Sequence, residues 1–195
     1  MVRVFLFLLF FSLPSMALEP GKPAPAFSGK TSQGKRVKLS DYLGKVVVLE
    51  WLNYGCPFVQ KHYDGKNMQA LQKEYTGKGV VWLSVISSAE GKQGYSSPER
   101  AEKDRKEQGS EASAVILDPS GEIGRLYGAQ TTPHMFVINS KGQLSYQGAI
   151  DNKASTDPAT LKGAHSYVRD ALDAVLSGRA PAVAQTKSHG CSVKY

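Results

Sequence analysis

The sequence is short of several things, and each shortage excludes something. Beyond residue 13 it has no apolar run approaching the ~20 residues that a bilayer-crossing helix takes, so nothing there reads as a membrane span. It has no internal repeat and no low-complexity segment. It also lacks a stripe of one charge. Its 24 Lys and Arg against 17 Asp and Glu give a net +7 spread along the chain, which a solvated surface explains better than nucleic-acid binding. Cysteine is scarce, with 2 in 195 residues: Cys56 and Cys191.

What is present begins with a leader. Met1-Val2-Arg3 is followed by the apolar stretch Val4 to Leu13 and by Ser15-Met16-Ala17, with small residues where a signal peptidase reads. Residues 1–17 therefore read as a cleaved secretory signal; the rival reading is a retained leader, although the stretch is too short to span a bilayer. Export places the two cysteines in an oxidising compartment, most simply the periplasm, where each must be paired, protected or reactive. Residues 18–178 then form one domain, and 179–195 a polar C-terminal tail carrying Cys191.

Along that domain, Pro20 to Ser32 reads as an irregular arm, Arg36 to Leu39 as a short strand, and Asp41 to Lys45 as a turn. Val46 to Leu52 is a nearly continuous β-branched and apolar run, the pattern of a strand buried on both faces. A helix is expected from Pro57, at a first turn where the missing N–H costs nothing. It carries Met68, Leu71 and Tyr75 on one side and ends near Gly77 or Gly79. Val80 to Ile86 is the next strand, and Ser96-Ser97-Pro98-Glu99 caps a charged helix. Ala114 to Leu117 is a strand and Ser120 to Tyr127 a short helix, and a hairpin joins His134–Asn139 to Leu144–Gly148. The last helix is expected from Asp157-Pro158, with Leu161, Ala164, Val168, Ala171, Leu172 and Val175 at helical period and Gly178 closing it. This order describes an α/β fold with parallel and antiparallel pairing in one central mixed sheet flanked by helices. Trp51 and Trp82, within strands, are expected in the core.

Cys56 lies where the buried strand hands over to a helix. A cysteine there meets unpaired backbone N–H groups and the positive end of the helix dipole, which favour the thiolate, the nucleophilic form. A buried structural cysteine is the alternative, but polar Asn53, Tyr54 and Gly55 just before it indicate a reachable edge of the sheet. Gly29 to Lys35 superficially matches a phosphate-binding loop. It has Arg36 where Ser or Thr should hold magnesium, no buried strand before it and a strand after it, so that reading fails.

The segments Gly21-Lys22-Pro23-Ala24-Pro25-Ala26-Phe27 and Leu39 to Leu49, with Trp51 and Cys56, resemble the redoxin group, which joins peroxiredoxins and thioredoxin-like thiol reductases. Thr131-Thr132-Pro133-His134-Met135-Phe136-Val137 resembles the loop in which thioredoxin folds carry a cis-proline beside the reactive cysteine. Gly148-Ala149-Ile150-Asp151, Tyr167 to Leu172 and Gly190 to Tyr195 resemble a peroxiredoxin-like bacterial subfamily of the alkyl hydroperoxide reductase and thiol-specific antioxidant type. The resemblance implies a thioredoxin-like fold and a thiol-dependent oxidoreductase without a bound cofactor. In it Cys56 attacks a peroxide or a protein disulfide, an external thiol supplies electrons, and Tyr54, Gly55, Pro57, Thr132 and Pro133 shape the substrate groove.

Two departures from the family pattern matter. Typical peroxiredoxins have a threonine three residues before the reacting cysteine and a proline four before that; here these are Asn53 and Leu49. Thioredoxins have a second cysteine three residues after the first; here it is Val59. Cys56 therefore needs a partner from elsewhere. The tail between Arg179 and Gly190 can reach ~40 Å when extended, enough to bring Cys191 back across the domain, but pairing with another molecule or a free Cys191 is equally open.

Cys56, Cys191, His62 and His134 or Met135 are also soft donors of the kind that hold copper(I), so a copper-binding or delivery protein is a rival function. His62 falls about one and a half turns past Cys56 and reads better as a solvated or core residue than as a ligand. His165, expected on the last helix, and His189, in the tail, show no partner pattern. A redox-inactive binding module on the same fold is the third possibility.

Overall fold

The computed structural model describes residues 18–195; the expected leader lies outside them. Seven strands form one mixed sheet: β1 (Ser28–Thr31), β2 (Arg36–Lys38), β3 (Val47–Trp51), β4 (Val81–Ile86), β5 (Ala114–Leu117), β7 (His134–Ile138) and β8 (Leu144–Gly148). Their order is β2-β1-β5-β4-β3-β7-β8. The β3–β4 and β4–β5 pairs are parallel and the others antiparallel. A separate two-stranded ladder joins β6 (Thr131–Thr132) to β9 (Cys191–Ser192).

The β-branched run Val46 to Leu52 is the centre of the sheet because it can be buried on both faces, and every residue of β3 is buried. Its side chains alternate. Val48 packs with Cys56, Val59, Met68, Leu71, Trp82 and Leu172 beneath the helices α1 (Pro57–Asp64), α2 (Asn67–Gly77) and α5 (Tyr167–Leu176). Val47, Leu49 and Trp51 pack with Phe27, Leu83, Ile123, Tyr127 and Phe136 on the other face, which α4 (Glu122–Leu126) covers. Both tryptophans are fully buried, and Trp51 meets Phe136 edge to face at 5.1 Å. No helix among the described residues is long and apolar enough to cross a membrane.

The structure differs from the sequence expectation at three places. The arm Pro20–Ser32 contains β1, which pairs with both β2 and β5; the Gly29–Lys35 stretch is therefore a β-hairpin turning at Gly34. The single helix expected from Pro57 is two helices, broken at Gly65 and Lys66. Lys66 has a left-handed backbone, φ 56°, and a side chain on Gly65 would strike Leu161. The helix expected from Asp157 is only a 3-10 turn over Pro158–Leu161, which Asp157 caps by accepting the Ala159 N–H. The chain then turns at Gly163, and α5 starts after Ser166, whose hydroxyl accepts the Arg169 N–H. Leu161, Ala164 and His165 lie outside that helix. The cap at Ser97 does open α3 (Pro98–Glu107) as expected.

The carboxyl group of Glu50 sits wholly inside the helix-side layer. The Glu50 carboxylate accepts hydrogen bonds from Tyr63 Oη (3.1 Å), Gln72 Nε2 (3.0 Å), Trp82 Nε1 (2.8 Å) and Ser84 Oγ (3.2 Å). Burial pushes its pKa above the ordinary value, and those hydrogen bonds oppose the shift without cancelling it. An acid whose folded pKa is raised favours the fold below its unfolded pKa and loses that contribution as pH rises through the folded value. Glu50→Gln can keep the three donors on one oxygen and turn its NH2 toward the Tyr63 hydroxyl. Its unfolding midpoint in urea should therefore gain on wild type as pH is raised from about 4 to about 8; a constant difference across that range would contradict this account.

Candidate functional site

Cys56 forms the N-cap of α1, with extended backbone (φ −87°, ψ 124°) and Pro57 in the first helical turn. Its carbonyl accepts the Val59 and Gln60 N–H groups, and its own N–H donates to Asn53 O. Asn53 Oδ1 accepts the Gly55 N–H, so the link from β3 to α1 is a tight polar turn. The antiparallel register of β3 on β7 sets Trp51 opposite His134. Pro133, one residue earlier, is thereby carried to the same end of the sheet as Cys56, and the Thr132–Pro133 peptide is cis.

The tail supplies the rest. β9 lies antiparallel to β6, with Cys191 opposite Thr132 and Ser192 opposite Thr131, and the Val193 N–H donates to Gln130 O. Gly190 is seated so closely that a Cβ on it would lie 2.1 Å from the Thr132 carbonyl oxygen. This arrangement puts Cys191 Sγ 2.7 Å from Cys56 Sγ, although the two are free thiols and 135 positions apart in sequence. The Cys56 thiol donates to Thr132 O at 2.9 Å, and the Cys191 N–H donates to Cys56 Sγ at 3.4 Å. Cys56 is completely buried and Cys191 partly so.

The two thiols are electrostatically unequal. Burial pushes Cys56 up, but hydrogen bonding by the Cys191 thiol and N–H, and then by the Val59 N–H and Thr132, outweighs burial and holds its pKa below the ordinary value. Cys191 is pushed up to about 11, by burial first and then by its position against Cys56. The pair therefore holds its negative charge on Cys56, at the end of the helix dipole that favours it.

Cys56, Cys191, Thr132 and Pro133 come together. Tyr54 and Gly55 line a separate open groove of about 490 Å³ with Asn53, Gln93, Tyr95 and Arg100. Tyr54 packs edge to face on Tyr63 at 5.0 Å, and exposed Pro57 serves chiefly to start α1. Of the proposed soft metal donors, the two cysteines come together, but the histidines are held elsewhere. His62 Nδ1 meets Asn67 Nδ2 at 2.8 Å, His134 Nδ1 accepts the Gln130 N–H at 3.3 Å, and among the described residues no three His, Cys, Asp or Glu side chains form a metal-sized cluster.

Sequence reasoning missed a buried ion pair behind Pro133. Lys61 Nζ is 3.2 Å from Asp151 Oδ2 and donates to Lys153 O at 2.8 Å, with His62 Nε2 3.9 Å from the same carboxylate oxygen. Burial, with Lys61 adding to it and Asp151 opposing, pushes His62 down to about 4, so it is neutral at neutral pH. The sequence holds only a faint signal of this pair, because the partners are 90 positions apart.

The AhpC/TSA family matches residues 20–147, a span that includes Cys56 and Pro133 and stops before the tail. The thiol-disulfide oxidoreductase ResA of Bacillus thuringiensis is 28% identical over 127 residues, 65% of this chain and 68% of that protein. The crystal structure of an uncharacterized conserved protein from Geobacillus kaustophilus is 28% identical and covers 92% of this chain and 94% of its own, with a TM-score of 0.79. That of a putative thiol:disulfide interchange protein DsbE from Chlorobium tepidum is 30% identical over 67% of this chain and 85% of its own, with a TM-score of 0.54.

Two outcomes follow from this geometry. The ultraviolet absorbance of the Cys56 thiolate should appear on raising pH through a value below that of an ordinary cysteine, and Cys191→Ala, which removes the thiol donor but leaves the burial, should move the transition upward; an unmoved transition would refute the charge assignment. Asp151→Asn should cost about 3–5 kcal/mol in an unfolding titration because it strands the Lys61 ammonium, and the double replacement Lys61→Met/Asp151→Leu should cost less.

Proposed function

The chain belongs to the AhpC/TSA family and is a thiol-dependent oxidoreductase, and from that premise we propose that it reduces protein disulfides with Cys56 as nucleophile and Cys191 as resolving thiol. The observation that carries this reading is the placement of Cys191 Sγ 2.7 Å from Cys56 Sγ by the β6–β9 ladder. The Cys56 thiolate attacks one sulfur of the partner disulfide, forming a mixed disulfide and releasing the other sulfur as a thiolate. The Cys191 thiolate then attacks Cys56, releasing the partner as a dithiol and leaving a Cys56–Cys191 disulfide. Two electrons have passed from the pair to the partner, and an external dithiol restores them.

The surroundings of Cys56 favour a disulfide over a peroxide. Its sulfur meets another thiol, a carbonyl and a backbone N–H. None of these is a cationic side chain of the kind that would stabilise the hydroxide leaving a cleaved peroxide. Thr132 and Pro133 form one wall of the proposed substrate site, and the Tyr54–Gly55 groove lies alongside it. The leader in residues 1–17 supports a periplasmic setting, where disulfide-bonded partners are found.

Disulfide reduction and peroxide consumption measured side by side on the mature protein distinguish the two chemistries. Cys56→Ser should abolish disulfide turnover. Cys191→Ser should lower turnover at least ~100-fold while still accumulating a Cys56 mixed disulfide with the partner. Peroxide turnover that depends on Cys56, with no Cys56-dependent disulfide reduction, would sink the proposal.

A further inference from the structure

With Cys191 docked, Cys56 has no exposed surface, so a partner sulfur can reach it only when the tail moves. The tail is seated at three places, each prepared by the body of the protein. At the first, Thr186 accepts the Ala149 N–H at 3.0 Å, lies 2.6 Å from Tyr146 Oη and fills space that a side chain on Gly148 would occupy. At the second, Gly190 rests on the Thr132 carbonyl. At the third, the Ala89 N–H donates to Lys194 O, and Tyr195 Oη donates to Ala129 O at 2.6 Å. There the Tyr195 ring lies 4.6 Å from the Arg125 guanidinium and covers Gly121 and Gly124, where a Cβ would come within 2.4 Å and 2.5 Å of it. Gly124 lies within α4, where glycine costs helix stability and is tolerated when something packs against it.

We propose that residues 190–195 form a latch hinged at Thr186, and that Tyr195 is the positioning residue that sets how often it opens. The inference rests on the reading of Cys56 as the reactive thiol. Closed, the latch holds Cys191 over Cys56 and completes resolution; open, it bares Cys56 to the partner disulfide. Tyr195 never touches the reacting sulfurs, so its influence is exerted wholly through where Cys191 sits.

Loosening the latch therefore has two effects of unequal size. In the reduced Cys191→Ser protein, adding Tyr195→Ala should speed alkylation of Cys56 by iodoacetamide about tenfold, as the lost hydrogen bond and cation–π contact imply. Tyr195→Phe, which keeps the ring and loses only the hydroxyl, should lie between. With Cys191 intact, the same Tyr195→Ala change should shift the Cys56–Cys191 disulfide, equilibrated in a glutathione redox buffer, toward the dithiol by less than about twofold, because the closed latch it weakens is shared by the dithiol and the disulfide. Unaltered alkylation, or alkylation that rises in step with a fall in the urea midpoint, would overturn the latch. Absence of a Cys56–Cys191 disulfide even with Tyr195 intact would instead remove Cys191 as the resolving thiol, and the alkylation measurement would still decide the latch.

Discussion

The register of β3 on β7 is the constraint on which the rest of the site depends. With Trp51 opposite His134, the turn leaving β3 and the segment entering β7 are forced to one end of the sheet. Slipping that register by one residue would carry the side chains of either strand into the opposite core layer, and the alternation of Val47, Leu49 and Trp51 against Val48 and Glu50 leaves no tolerance for it. Residue 56 and residue 132 meet because two hydrophobic strands have only one way to pair.

On that frame the charge of the site is settled by competition. Burial alone would keep both cysteines protonated. One escapes because it collects donors at a helix start, and the other does not because it is the donor. A second polar set, Lys61, Asp151 and His62, braces α1 from behind Pro133 in the same spirit, each buried charge being answered by a partner. Glu50, with four donors aimed at it, is the third.

Much of this was legible from the chain alone, and the parts that were not share a cause. β-branched runs announced β3 and β4, and the Cys-Pro pair announced the start of α1, because these are local patterns of burial and dihedral preference. The break between α1 and α2 was hidden because Met68, Leu71 and Tyr75 keep helical spacing within α2 whether or not α1 is continuous with it; Lys66, a residue seldom found with positive φ, gave no warning. The late start of α5 was hidden likewise, since Leu161 and Ala164 match its period while belonging to the turn before it. β1 escaped notice in a Pro- and Gly-rich stretch because two of its four residues are exposed. The tail was least readable. It docks through backbone hydrogen bonds and through spaces left by glycines, neither of which writes an apolar rhythm into a sequence. The resemblance carried by Thr131 to Val137 supplied the proline beside Cys56, and the ending Gly190 to Tyr195 was noticed for its likeness before any place could be given to it.

The separation of 135 positions between the two sulfurs bears on the order in which the protein comes into being. A ribosome delivers Cys56, its strand and its helix long before it delivers Cys191, and domains assemble in roughly that direction. Until residues 190–195 arrive, the first thiol lacks the Cys191 donors that lower its pKa and the strand that covers it. The newborn chain thus carries Cys56 for a time without the segment that covers it, and the site is completed only when Cys191 and its neighbours have followed.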